Sequence, residues 1–296
     1  MKKYFSLLFL VIFISLSAFK GDKPAYLIYT AKGKTADYGD LLKAAKSSDL
    51  IFFGELHDNP ICHWLEYELT RDLYEEKQSN LSLGAEMFER DNQLLLTEYV
   101  TKMIRKKDFE AEAKLWPNYK TDYAPLVDFA REKGLRFVAT NVPRRYAALV
   151  NLKGFEGLDS LNAGERGLIA SLRIKYDTTL ECYKSIAKAV GDGMPAHMTQ
   201  NLGKAQALKD ATMAQFIMKG GPGTGQCFLH INGAYHSDNY EGIVWYAKDY
   251  IRKNTIPVKI LTISCVEQDT IADLKKENIS KADFIICIPA SMTKTR

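Results

Sequence analysis

The chain predicts an α/β fold: a mainly parallel sheet covered by helices, with helical insertions forming a cap or small subdomain. Three observations carry this expectation. Apolar runs of strand length recur from Leu50 to Pro289. Segments with apolar residues at helical spacing separate them. Gly, Pro or Asn punctuates many of the boundaries between the two. Strands that alternate with helices form parallel sheets, because each crossover helix packs back over the sheet.

The elements follow in order. Leu50–Phe53 is a short apolar strand. Pro60 to Lys77 places Ile61, Trp64, Leu65, Leu69 and Leu73 at helical spacing, with Asn59 as N-cap and Pro60 at the first helical position. Leu81–Phe88 is the next strand. Ala124–Lys133 reads as a helix stopped by Gly134, and Arg136–Val142 as a strand stopped by Pro143. Gln226–Asn232 is a strand, Tyr240–Arg252 a helix, and Val258–Cys265 and Asp283–Pro289 the last two strands. Asn92–Asp122 and Asn162–Lys219 are helical in pattern but interrupt the alternation, so they are read as the insertions. Gly220–Gly225 is a glycine-rich connector; without a following Lys-Ser/Thr it is not a phosphate loop.

Composition narrows the class. With 46% hydrophobic and 26% charged residues the chain is globular rather than disordered. Lys+Arg less Asp+Glu is 40 − 36, or +4. That balance lacks the clustered basic face of a nucleic-acid binder. Lys2 and Lys3, the apolar run Leu7–Ile14 and the small residues after it read as a secretory signal peptide over residues 1–19. One mature domain, 20–296, is then expected in the periplasm or outside the cell. No Cys follows the leader, so no lipoprotein anchor is expected. The five cysteines are odd in number and contain no C-x-x-C; Cys227, Cys265 and Cys287 read as small buried hydrophobes.

The strongest functional signal is an internal echo. Gly54-Glu55-Leu56-His57-Asp58-Asn59 and Gly233-Ala234-Tyr235-His236-Ser237-Asp238-Asn239 each follow an apolar strand, contain G-x-x-H and lead into a helix. Gly is expected there to permit a sharp turn. Loops that follow parallel strands share one sheet edge, where ligands bind, so His57 and His236 should face one pocket. Glu86 ends the strand before it, and a carboxylate buried there needs a partner. Arg144 and Arg145 follow the Arg136–Val142 strand, and His63 lies one turn into the first helix.

Three chemistries remain open from the residues alone. His57, Glu86 and His236 could hold a divalent metal, with Glu55 as a further ligand or as the general base of a metal-dependent hydrolase. A His or Tyr could ligate haem iron while arginines pair the propionates. Or the polar groups satisfy one another. Trp116, Tyr119 and Tyr123 are read as packing residues, Met194, Met198, Met213 and Met218 as core fillers, and His197 as a surface or packing histidine.

Five stretches, GELHDN at Gly54–Asn59, GAEMFERD at Gly84–Asp91, ATNVPR at Ala139–Arg144, AQALKDATMA at Ala205–Ala214 and HINGAYHSD at His230–Asp238, together resemble the ChaN family, the haem-binding uptake part of the Tiki/ChaN superfamily. The resemblance covers about residues 45–265. It implies haem as cofactor, a tyrosine ligand, a homodimer enclosing stacked haems and membrane-associated uptake machinery. Among the 16 tyrosines, Tyr146 and Tyr235 are the candidates it suggests, with Arg144 and Arg145 on the propionates. The Tiki branch implies instead a metal-dependent protease whose G-x-x-H histidines would be His57 and His236, with Glu86 or Glu55 as the glutamate. Erythromycin-esterase relatives imply a hydrolase with a similar cleft.

Overall fold

Strands in this protein are buried on both faces, and their side chains sort by parity. Ile51 and Phe53 point into one apolar cluster, and Leu50 and Phe52 into another on the opposite face. This is the pattern of a sheet covered by helices on both sides. The computed structural model describes residues 23–189, 200–223 and 225–295. The leader over residues 1–19, Met194, His197 and Met198 lie outside the described residues.

The eight strands are β1 Leu27–Thr30, β2 Thr35–Ala36, β3 Leu50–Glu55, β4 Leu81–Glu89, β5 Arg136–Asn141, β6 Cys227–Gly233, β7 Ile260–Gln268 and β8 Phe284–Pro289. They form one sheet in the order β2-β1-β8-β7-β3-β6-β4-β5. Strands β3 to β8 are mutually parallel; β1 runs antiparallel to β8 and to β2. The fold is thus α/β with a mainly parallel sheet. The antiparallel β1–β2 edge and the following helix, α1 Tyr38–Lys46, are elements the apolar periodicity does not mark.

One sheet face is covered by α1, by α2 Pro60–Lys77 and, beyond α3 Gln93–Val100 and α4 Lys106–Glu112, by α5 Ala124–Lys133. Leu65, Leu69 and Leu73 of α2 are fully buried there, each worth about 1.5–3 kcal/mol of burial. Asn59 accepts from Ile61 N at 3.0 Å, and Pro60 needs no hydrogen bond at the first helical position. After α6 Arg144–Lys153, α7 Ala163–Arg166 and α8 Glu181–Ala189, two helices cover the other face: α9 Leu202–Lys219 and α10 Gly242–Asn254.

The expected insertion over 162–219 therefore divides. Its last helix, α9, is no side element: Met213 and Ile217 pack with Phe52 and Phe228 against the sheet. Its first part joins α6 through Ile169, in a separate small core with Val142, Tyr146, Val150 and Leu158. The five cysteines are all buried and free. No described helix is long and apolar enough to cross a membrane.

Register sets the site. β3 and β6 are neighbours, with Gly54 opposite Asn232 and Glu55 opposite Gly233. β4 lies on the other side of β6, Ala85 opposite Ile231, and its register shifts just beyond Ala85. Both G-x-x-H loops and Glu86 therefore emerge side by side at the C-terminal edge.

Candidate functional site

At that edge lies a cleft of ≈ 350 Å³ whose lining includes His57, Glu86, Trp116, Arg144, Lys209 and His236. It adjoins a second space of ≈ 460 Å³, with which it shares Glu89, Trp116 and Arg144. A larger cavity, ≈ 560 Å³, lies elsewhere, along β5 between Arg90, Gln93 and Phe216. No histidine or carboxylate lines it, so its size is not matched by acid–base or ligating chemistry, and the smaller cleft is the candidate site.

Glycine is needed in both loops for a reason other than the expected turn. Gly54 and Gly233 lie within strands β3 and β6. A Cβ on Gly54 would come within 2.9 Å of Ala234 Cα, and one on Gly233 within 2.7 Å of His57 Nε2. Close approach of the two loops, rather than a left-handed backbone, is what excludes a side chain.

Each histidine is backed by carboxylates. His57 Nδ1 lies 2.6 Å from Glu55 Oε1, which also accepts from Tyr123 OH at 2.7 Å. An ionised acceptor fixes Nδ1 as the donor and leaves Nε2 on the cleft side, against Gly233. Burial pushes the Glu55 pKa up, but the hydrogen bond from His57 and the nearby His63 outweigh it and hold it at about 2. Burial opposes charge on His57 as well; its bond to Glu55 and the charge of Glu86 nevertheless raise its pKa.

His236 is held at both ends. Its Nε2 lies 3.1 Å from Glu86 Oε1 and its Nδ1 2.5 Å from Asp210 Oδ1. Two carboxylate acceptors require both nitrogens to donate, so the ring is an imidazolium. Burial opposes that charge, but Glu86 and Asp210 raise the pKa to about 10. Glu86 in turn falls well below the usual carboxylate range: burial works against this, and the charge of His236 outweighs it, helped by a 2.8 Å bond from Gly233 N. Asp210 also accepts from Tyr183 OH at 2.9 Å.

The expected metal set of His57, Glu86 and His236 is thus drawn together, but His236 serves as a counter-ion with no nitrogen to spare. Tyr146 is buried in the small core, its hydroxyl 3.4 Å from Arg145 Nη2. Tyr235 turns its hydroxyl to Cys182 O and to Ser185 Oγ. Neither tyrosine lines the cleft. Arg145 is paired with Asp91 and lies over the Tyr146 ring, whereas Arg144 reaches the cleft. Trp116 differs from its expected packing role: it forms a cleft wall, its ring 4.9 Å from that of His57 at 70°. Tyr119 and Tyr123 are buried as expected. His230 is a core residue, its pKa lowered to about 4 by burial, on Thr140 Oγ1 at 2.8 Å and Asn232 Oδ1 at 3.1 Å.

Asp210, Lys209, Glu66 and Gln206, whose amide nitrogen lies 3.0 Å from His236 Nδ1, are not marked by the sequence pattern. All four sit on helices rather than after strands; the available signal for Asp210 is that it is the one acid in the stretch Ala205–Ala214.

The family of haem-binding uptake proteins, Tiki superfamily, ChaN, matches residues 41–247. The chain belongs to this family. Its fold is similar to that of ChaN of Campylobacter jejuni, a structure described for cofacial heme binding, with a TM-score of 0.66 and 16% identity over 90% of this chain and 97% of that one. An erythromycin esterase in its open conformation is more distant, with a TM-score of 0.50 and 10% identity over 91% of this chain and 98% of that one. At such identities these likenesses show the fold alone. The chloroplastic protein RETICULATA-RELATED 5 of Arabidopsis thaliana is 25% identical over 203 residues, 63% of this chain. The chain spans about a quarter of that relative, whose matched part is 27% of its length.

Proposed function

We propose that this ChaN-family protein binds haem in the cleft between the two G-x-x-H loops, with His57 as the iron ligand. The observation that carries the reading is the state of His57. One ring nitrogen is fixed by a buried carboxylate and the other is left without one, beside Gly233, in a residue that lines the cleft, as in metal-ligating histidines whose second nitrogen is held by an acceptor. The other residues fit the group. Trp116, with Leu115 and Pro117 in the adjoining space, supplies an apolar wall for a flat macrocycle. Arg144 and Lys209 reach the cleft with no ion-pair partner among the described residues and suit the propionates. When bound, haem would supply a redox-active iron whose properties follow the residue that holds it. The chain's own part is to orient His57 through Glu55 and to hold Glu86 ionised through His236. A role in haem uptake by an exported, dimeric protein is the finer form of the reading. The leader-like sequence and the family description support it.

The test is a haem titration followed in the Soret region. The unmodified protein should saturate at a defined stoichiometry. Arg144→Ala with Lys209→Ala should weaken binding about tenfold or more, since charge-assisted bonds are worth about 1.5–3 kcal/mol each. An unchanged affinity would remove the cleft from consideration.

One observation favours a second reading, hydrolysis. The Tyr123–Glu55–His57 chain orients an imidazole with a raised pKa, which suits a general base for water. Ester hydrolysis by haem-free protein, lost in His57→Ala, would support it.

A further inference from the structure

Beneath the cleft, Glu55, His63 and Glu66 bring one donor atom each within 4.8 Å of one another, and all three are buried. Their spacing is poor for hydrogen bonding. His63 Nδ1 lies 3.3 Å from Glu55 Oε2 and 3.5 Å from Glu66 Oε2, whereas charge-assisted N–H···O bonds close to about 2.7–2.9 Å. Glu55 Oε2 and Glu66 Oε1 are both buried without a hydrogen-bond partner. Two orphaned carboxylate oxygens in one pocket are costly unless a cation joins them. The distances suit one: donors at about 2.1 Å from a tetrahedral ion lie about 3.4 Å apart.

The surrounding groups are arranged as an outer shell. His63 Nε2 faces Asp122 Oδ2 at 3.4 Å and the His57 carbonyl at 3.3 Å, which makes Nε2 a donor; a cation between the two glutamates would displace the proton that Nδ1 otherwise offers them. Tyr123 and His57 both occupy Oε1 of Glu55, leaving Oε2 open. A ligating histidine held by a carboxylate, and a ligating carboxylate held by donors, are what bound divalent metals require.

We propose that Glu55, His63 and Glu66 form a buried site for a divalent first-row transition ion, separate from the haem cleft above it. Two carboxylates neutralise the ion, and mixed oxygen and nitrogen donors suit zinc, cobalt, iron or manganese. The site does not depend on the haem reading, although Glu55 touches both.

The experiment uses the purified full-length chain, incubated separately with Zn²⁺ and Co²⁺, desalted and analysed for retained metal. About one ion per chain is expected, and bound Co²⁺ should show the intense visible band of a low-coordinate site. Glu66→Gln, which keeps the side chain's shape, should retain less than a tenth of that. Asp122→Asn, which alters the acceptor shared by the outer nitrogen of His63, Asn118 and Thr295 but none of the three proposed ligands, should weaken retention about tenfold or more. Arg144→Ala with Lys209→Ala, altering two residues that line the cleft and touch none of the three proposed ligands, should keep the ion while weakening haem binding, so failure of one site is distinguishable from failure of the other. No retained ion in the unmodified chain, or full retention in folded Glu66→Gln, would overturn the proposal. If Glu66→Gln does not fold, Asp122→Asn decides alone, and unchanged retention there counts against the site.

Discussion

Asp210→Ala should destabilise the protein by about 3 kcal/mol at about pH 6, and by clearly less at about pH 10. Removing one member of a buried charged group leaves the others uncompensated, which costs about 3–5 kcal/mol. The lower end applies because Glu86 still pairs with His236 at 3.1 Å. The loss also strips the buried Tyr183 hydroxyl of its acceptor. The pH dependence follows from His236. Its pKa is raised in the folded state to about 10, against burial, by Glu86 and then Asp210. Stability from a raised histidine is fully present below its unfolded value, about 6.5, and is lost as pH rises through the folded value. The gap between the two proteins should therefore narrow as His236 loses its proton. Urea unfolding of both at the two pH values measures it; an equal gap at both would mean that His236 is not an imidazolium in the folded state.

The two motif glycines should fail in different ways. In Gly54→Ala the new Cβ would meet Ala234 Cα at 2.9 Å and Ile263 O at 3.0 Å, backbone atoms on either side of β3. Neither can retreat without parting the sheet, so overpacking should cost about 2–3 kcal/mol. In Gly233→Ala the Cβ would clash with the His57 ring, Nε2 at 2.7 Å and Cε1 at 2.8 Å, and meet Glu86 Oε2 at an ordinary 3.5 Å. A ring can turn away, so the stability cost should be about 1 kcal/mol, while haem affinity falls sharply because the ligand nitrogen has moved. Denaturant midpoints and haem titrations of both variants separate the two effects. Unchanged haem binding by Gly233→Ala would show that the position of Nε2 does not matter.

Much of this was legible because β3, β4 and β6 are buried on both faces and read as unbroken apolar runs, so their ends, and the residues after them, could be found. Pro60–Lys77 and Ala124–Lys133 were visible to the residue from Asn59, Pro60 and Gly134. β1 was not, because four residues at a sheet edge carry no periodicity. Helix α9 is polar on one side, which is the pattern of an insertion, yet its apolar side closes the sheet through Met213 and Ile217. The echo of G-x-x-H gave His57 and His236, because a loop after a strand has a known edge. What could not be read was the difference between them. That depends on Asp210 of α9, which reaches His236 Nδ1 across 26 residues of sequence, and on Tyr123, which reaches Glu55 across 68. Such long-range partners are fixed by tertiary packing, and nothing local in the sequence records them.

The most direct test of the account is the absorption spectrum of the ferric haem complex of the unmodified protein beside that of His57→Ala. The account predicts a Soret band characteristic of a histidine-ligated iron in the first, and its loss or displacement in the second, with the folded state of the variant confirmed by circular dichroism. Identical spectra and affinities for the two proteins would contradict it, because the ligand would then lie outside the Glu55–His57 pair.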